Sequence, residues 1–313
     1  FFPFLKLSGG TVPEVVHSAE LETENMAGIV KRFPQMIAAI TSMDLTVEAE
    51  TFGCAVRFTA TEAPAVTGPA LADRGAIEEL LLPALDRGRG PLFIEAARAA
   101  AERIVDRPTF GGMLGPFSLA CVLMELSDVM RMTRKDPEAI HTLLEKCTEY
   151  SIEYAKAFKE AGANGIFLAE PTAGLLLPDK CEEFSSRYVK QLVDAVQDDR
   201  FFIVLHNCGR TTKQVPSMVG TGAKGYHFGN AVDMADILPQ IPGDLLVFGN
   251  VDPSGVLTQD TPEYVKQQTL ELLEKMRPYP NFVLSSGCDL PYVVPIENLD
   301  AFFGALEQFN AAR

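Results

Sequence analysis

The sequence predicts an α/β fold: a single, distorted (β/α)8 TIM-like barrel over residues 1–313, with a helical excursion between its second and third strands. Two observations predict it. Eight short apolar or β-branched runs alternate with helix-length amphipathic segments, the pattern of a parallel sheet with crossover helices. Seven of these eight runs end in unusual polar residues, as expected where C-terminal strand ends gather at one active face. At 47% hydrophobic and 22% charged residues, the chain can bury a large core.

The eight expected strands, in order, are Phe2–Leu7, Ile37–Met43, Thr109–Leu114, Gly165–Ala169, Phe201–Leu205, Lys224–Phe228, Leu245–Phe248 and Phe282–Leu284. The clearest helix is Pro137–Ala161. Proline suits its first turn, Ile140, Leu143, Leu144, Cys147, Tyr154 and Phe158 recur at helical spacing, and Gly162 can cap its end. Lys180–Val196, Pro262–Met276 and Ile296–Phe309 repeat the pattern. The stretch Arg57–Arg107, rich in Ala, Gly, Pro and Arg, reads as an excursion with helices at Ala76–Leu82 and Pro91–Ile104.

The charge balance, 27 basic against 42 acidic residues, gives −15 and speaks against a nucleic-acid partner, which wants a basic face. No apolar run approaches the ~18 residues that span a bilayer, so no membrane partner is expected. Six cysteines, spread widely and without a CxxC pair, favour a reducing cytoplasm over a disulfide framework. The chain does not begin with Met and its first expected strand starts at once, which reads as a chain lacking a preceding segment.

The chemistry gathers at the strand ends. The second strand runs into Asp44, the third into Gly115-Pro116, the fourth into Glu170-Pro171 and the fifth into His206-Asn207-Cys208-Gly209. The sixth carries His227 and leads to Asn230, the seventh reaches Asn250-Val251-Asp252, and the eighth reaches Ser286-Gly287-Cys288-Asp289. Solvent at strand ends accounts for Asp and Asn. It accounts poorly for His-x-Cys and a late Cys. On an extended strand, side chains two apart point the same way, so His206 and Cys208 can face one ion. Strands five and eight belong to one ring, so Cys288 can join them. One imidazole and two thiolates suit Zn2+, and three protein ligands leave a fourth position for a substrate thiol. The other reading, thiols acting as small buried hydrophobes, stands beside this one and is the natural one for Cys54, Cys121, Cys147 and Cys181.

These residues resemble the uroporphyrinogen decarboxylase superfamily, and more closely its corrinoid-linked branch, the methylcobamide:coenzyme M methyltransferases. The resemblance runs through Met43-Asp44-Leu45-Thr46-Val47-Glu48-Ala49-Glu50, Gly115-Pro116-Phe117-Ser118, Glu170-Pro171-Thr172-Ala173, Leu205-His206-Asn207-Cys208-Gly209, Gly249-Asn250-Val251-Asp252-Pro253 and Ser286-Gly287-Cys288-Asp289. It implies a zinc-dependent methyltransferase acting between a methylated corrinoid (cobalamin-type) and a small thiol, with His206, Cys208 and Cys288 as metal ligands. No Asp-x-His-x-x-Gly motif is present, so the corrinoid would come on a partner protein docking over the barrel mouth. Asp44 and Glu170 are the expected catalytic groups. Asp44 would line the pocket; Glu170 would either lend zinc an oxygen or orient His206. His227, Asn250 and Asp252 are weaker pocket candidates, the last two bracing the loop after the seventh strand. The alternatives are a uroporphyrinogen decarboxylase, whose Arg-rich N-terminal stretch is replaced here by Leu7-Ser8-Gly9-Gly10, and a non-catalytic metal- or corrinoid-binding barrel.

Overall fold

The computed structural model describes residues 2–312. Seven parallel strands form one curled sheet: β1 (Ala39–Ile40), then β4 (Thr109–Leu114), β5 (Gly165–Ala169), β6 (Phe202–Asn207), β7 (Gly225–Phe228), β8 (Leu246–Val251) and β9 (Phe282–Ser286), neighbours in that order. A short antiparallel hairpin, β2 (Ala55–Arg57) and β3 (Ala65–Gly68), stands apart in the excursion. Helices wrap the outside, giving an α/β TIM-like half-barrel.

The strand expected at Phe2–Leu7 is not one. Phe2–Phe4 is a 3-10 turn and Leu5–Ser8 a helical turn, followed by helices Val12–Val16 and Ala19–Arg32. A short apolar run does not by itself distinguish strand from buried helix, and Pro3 cannot donate to a ladder. Tertiary packing decides. Phe4, Ile29 and Phe33 join Leu290, Val294, Leu299 and Phe302 in one apolar cluster, and Lys6 Nζ donates to the Val294 carbonyl at 2.9 Å. Side chains from both chain ends thus fill the seam where an eighth strand was expected.

The remaining strands fall where the sequence puts them, with shifted ends. β1 is shorter than Ile37–Met43, while β6, β8 and β9 run further toward the mouth than expected. Helices Pro137–Glu160, Pro262–Met276 and Ile296–Ala311 match their patterns, and Lys180–Val196 lies in a helical stretch that includes a π-turn at Glu182–Ser186. Alternation along β6 sorts its side chains. Ile203 and Leu205 join the large core under the helices, while Phe202 and Val204 face the barrel interior with Phe110, Phe167 and Phe248. There Phe110 meets Phe167 and Phe202 edge-to-face, and Phe167 meets Phe248 in the same way. The aromatic layer is the floor on which the polar rim rests.

The excursion is anchored by charge. Its helix Arg74–Glu79 points its C-terminal carbonyls at Lys146, whose Nζ donates to the carbonyls of Ile77, Glu78 and Leu80 at 2.7, 3.0 and 2.8 Å. A cation there also suits the helix dipole. Beyond it, helix Gly90–Arg103 crosses over to β4 and packs on Ala19–Arg32. No helix among the described residues is long and apolar enough to cross a membrane. Replacing Lys146 by Met is expected to cost roughly 1–3 kcal/mol and to speed amide exchange over residues 74–80 ahead of the barrel strands, as read by hydrogen-exchange mass spectrometry.

Candidate metal centre

The polar residues of β6 and β9 converge at the mouth. Continuing the alternation from Phe202 and Val204, His206 and then Cys208 share the interior face. The ligand atoms of His206, Cys208 and Cys288 all lie within 4.8 Å of one another, and no other His, Cys, Asp or Glu joins this cluster among the described residues. Cys288 Sγ is 3.6 Å from His206 Nε2. A tetrahedral zinc with bonds near 2.3 Å to sulfur and 2.0–2.1 Å to nitrogen separates such a pair by roughly 3.5 Å. The donor set therefore fits Zn2+ in softness, charge and spacing.

The tautomer fits as well. His206 Nδ1 lies 3.2 Å from the His227 carbonyl, so its N–H donates there and leaves the Nε2 lone pair facing the cysteines. Cys208 and Cys288 are partly exposed, whereas Cys54, Cys121, Cys147 and Cys181 are buried. Burial pushes the Cys121 and Cys181 thiols up to about 12 and about 11, so these behave as small apolar side chains. The hydrogen bond from Cys288 holds Cys208 well below the ordinary thiol range, while Cys288 is pushed up by that same bond and then by burial. Without a metal the two sulfurs compete for one negative charge; a dication between them lets both ionise.

The loops close tightly around these three residues. A Cβ on Gly229, after β7, would sit 2.5 Å from Cys208 Cα, and one on Gly287 would meet the Asn230 amide nitrogen at 2.6 Å. Only glycine lets these backbones approach. Asn207, on the helix side of β6, donates to the Glu170 carbonyl and accepts from Gly209 N at 2.8 Å. It thereby fixes the turn that carries Cys208, a role its position between His206 and Cys208 concealed in the sequence.

The other expected residues lie around this centre. Asp44 is fully buried, and its carboxylate takes the Arg89 guanidinium and accepts from Thr46 N and Oγ1 at 3.0 and 2.6 Å. Arg89 also holds Glu50 at 2.8 Å and lies 4.8 Å over the Phe58 ring. This excursion residue carried no motif and escaped the sequence reading. Asn250 Nδ2 donates to the carbonyls of Gly229 and Val232 at 2.9 and 2.8 Å, and Asp252 Oδ1 accepts from Ser254 N and Gly255 N. Both brace mouth loops. His227 is buried, with its ring centre 4.6 Å from that of His206.

Glu170 turns away from His206, Cys208 and Cys288. Its oxygens accept from Phe117 N and Ser118 N, both at 2.9 Å, and from Ser118 Oγ at 2.7 Å. It caps the helix Pro116–Leu123 on the outer side of the sheet, and orienting His206 falls to the His227 carbonyl instead. Burial pushes its carboxyl up to about 7, against hydrogen bonds that favour the anion. Between about 4.5, the ordinary value, and about 7 the native state therefore binds more protons than the unfolded chain. Stability falls as pH rises through that window and levels off above it. Burial pushes the Glu48 carboxyl up too, to about 8, so Glu170→Gln is expected to show a shallower slope and not a flat line, as measured by urea midpoints across the window.

Residues 5–309 match the model of the uroporphyrinogen decarboxylase (URO-D) family. The chain belongs to that family. Over 302 residues it is 30% identical to the methylcobamide:CoM methyltransferase MtbA of Methanosarcina acetivorans, covering 94% of this chain and 86% of that protein. Against the uroporphyrinogen decarboxylase of Coxiella burnetii, identity is 25% over 301 residues, covering 93% and 82%. A solved methyltransferase from Methanosarcina mazei superposes with a TM-score of 0.89 at 28% identity, covering 98% of this chain and 90% of that one. The chain is accordingly an enzyme of the methyltransferase branch of the family.

Proposed function

We propose that this family member is a zinc-dependent methyltransferase, moving a methyl group between a corrinoid carried on a separate cytoplasmic protein and a small thiol such as coenzyme M. One observation carries the proposal: an imidazole at the end of β6 and two sulfurs, from the loops after β6 and β9, converge at the barrel mouth with both sulfurs partly exposed. The similarity to methylcobamide:CoM methyltransferases supports it.

Zn2+ bound by His206, Cys208 and Cys288 would supply Lewis acidity that keeps a substrate thiol ionised near neutral pH. The chain's own residues do the rest. The His227 carbonyl fixes the His206 tautomer, so no ring flip is needed when the site loads. The close-packed loops at Gly229 and Gly287 hold both sulfur ligands in place, so a thiol meets a preorganised corner and proximity supplies much of the rate. Asp44, neutralised by Arg89, contributes a polar wall rather than a free charge. Leu175, Leu177 and Val293, 61%, 62% and 58% exposed, stand on the loops after β5 and β9 and offer an apolar rim for a docking corrinoid protein. Methyl transfer toward the thiol is the favoured direction.

The decarboxylase reading needs cations converging on the pocket for a polycarboxylate. Arg89, the one buried Lys or Arg among the described residues, is already committed to Asp44 and Glu50.

Elemental analysis of the purified protein, with a thiol panel against methylcobalamin followed by absorbance, tests the proposal. Cys208→Ser and Cys288→Ser are each expected to lose zinc and thiol-dependent demethylation while far-ultraviolet circular dichroism stays native; retention of both metal and activity would remove the assignment. Asp44→Asn is expected to keep its zinc, by metal analysis, and to lower turnover. Its urea midpoint should also fall, because Arg89 then faces a neutral amide where it had a buried carboxylate.

A further inference from the structure

The proposed metal ligands come from the end of β6, the residue after it and the loop after β9, and β7 and β8 lie between those strands. Something must fix the gap across which a single ion would be shared. His227 on β7 touches both sides of it. In the parallel register it stands opposite His206, and its main-chain carbonyl accepts the His206 Nδ1 proton. Its own imidazole reaches past β8: Nε2 lies 2.8 Å from the Ser286 carbonyl, so its N–H donates there. Ser286 is the last residue of β9, and its Oγ donates to the Cys288 carbonyl at 2.8 Å. One residue is therefore bonded through its backbone to the nitrogen ligand, and through its side chain to the peptide that leads into a sulfur ligand.

The imidazole spans β8 within an interior lined at this level by rings. His227 sits 6.1 Å from Phe167 and 6.4 Å from Phe248, edge-on to both. These rings leave the imidazole little freedom. It is too deeply buried to be a surface ligand for substrate, and its Nε2–H is spent on Ser286.

We propose that His227 is a positioning residue that sets the span between His206 and Cys288, acting through the Ser286 peptide. The inference rests on the metal site proposed above. It assigns His227 no contact with the thiol or with the methyl group. Its imidazole ties β9 to β7, so that the loop carrying Cys288 stands at bonding distance from the fixed imidazole of His206. Without the tie, β9 keeps its ladder to β8, but its end and the Ser286–Cys288 turn can drift. Residues that orient ligands from behind typically change metal affinity by ~10–100-fold when removed.

The test compares wild type with His227→Ala, His227→Gln and Ser286→Ala, each checked for native far-ultraviolet circular dichroism. Zinc affinity is measured by competition with a chromophoric chelator. The ligand-field and sulfur-to-metal bands of the Co2+-substituted proteins report the geometry without any turnover. His227→Ala is expected to bind zinc about ten-fold or more weakly, with shifted Co2+ bands. His227→Gln keeps an amide N–H at similar reach and is expected to recover part of the loss. Ser286→Ala should show a smaller effect in the same direction. If His227→Ala does not fold, the other two variants carry the comparison. Wild-type affinity and unchanged bands in the folded variants overturn the role of His227 while leaving the metal site standing. Wild-type protein that takes up no Zn2+ or Co2+ overturns the proposed function itself.

Discussion

The hydrogen bond from His206 Nδ1 to the His227 carbonyl is the constraint on which the site depends. It exists because β6 and β7 pair in parallel with His206 opposite His227. A slip of one residue would turn every side chain of β6 to the other face, sending His206 and Cys208 in among the helices. Register is held against such a slip by burial on both faces. Ile203 and Leu205 are packed under the helices and Phe202 and Val204 over the barrel interior. The apolar residues of the strand thus place its polar end.

Burying so much polar chemistry at one rim is costly, and each group has a specific compensation. Asp44 and Glu50 share Arg89. Glu170 sits on the N-terminal amides of the helix Pro116–Leu123, where a carboxylate meets unsatisfied N–H groups. Burial, followed by the nearby His206, pushes the His227 imidazole down to about 3, so it stays neutral and donates from Nε2. The two partly exposed sulfurs are settled for one negative charge only, since the bond that favours the Cys208 thiolate keeps the proton on Cys288. A soft dication would let both ionise, and the convergence of the three ligand atoms within 4.8 Å supports the proposal that the trio holds one.

The rest of the fold serves to keep the mouth in shape. Seven strands leave a seam, and the N-terminal helices fill it together with the C-terminal segment. The excursion is tied down by Lys146 at one end, and its Arg89 reaches into the rim at the other. Loops after β6, β7 and β9 touch backbone to backbone at Gly229 and Gly287. The rim is therefore one packed unit built from residues far apart in the chain.

The alternation of strands and helices, the rim location of the polar residues and the candidate trio His206, Cys208 and Cys288 were legible in the sequence. Those features are local: hydrophobic period sets the element, and spacing of two sets the shared face of His206 and Cys208. Tertiary structure decided what depends on competition between distant partners. Phe2–Leu7 has a composition that suits strand or helix, and packing against Leu290 and Phe302 selected the helical turns. Glu170 follows β5 by one residue, like a rim ligand, yet alternation and the helix amides draw it to the outer side. Arg89, Asn207 and Ser286 carry no motif, because what they do is set by which carbonyl or carboxylate the fold brings within hydrogen-bond reach, and no spacing along one chain records that.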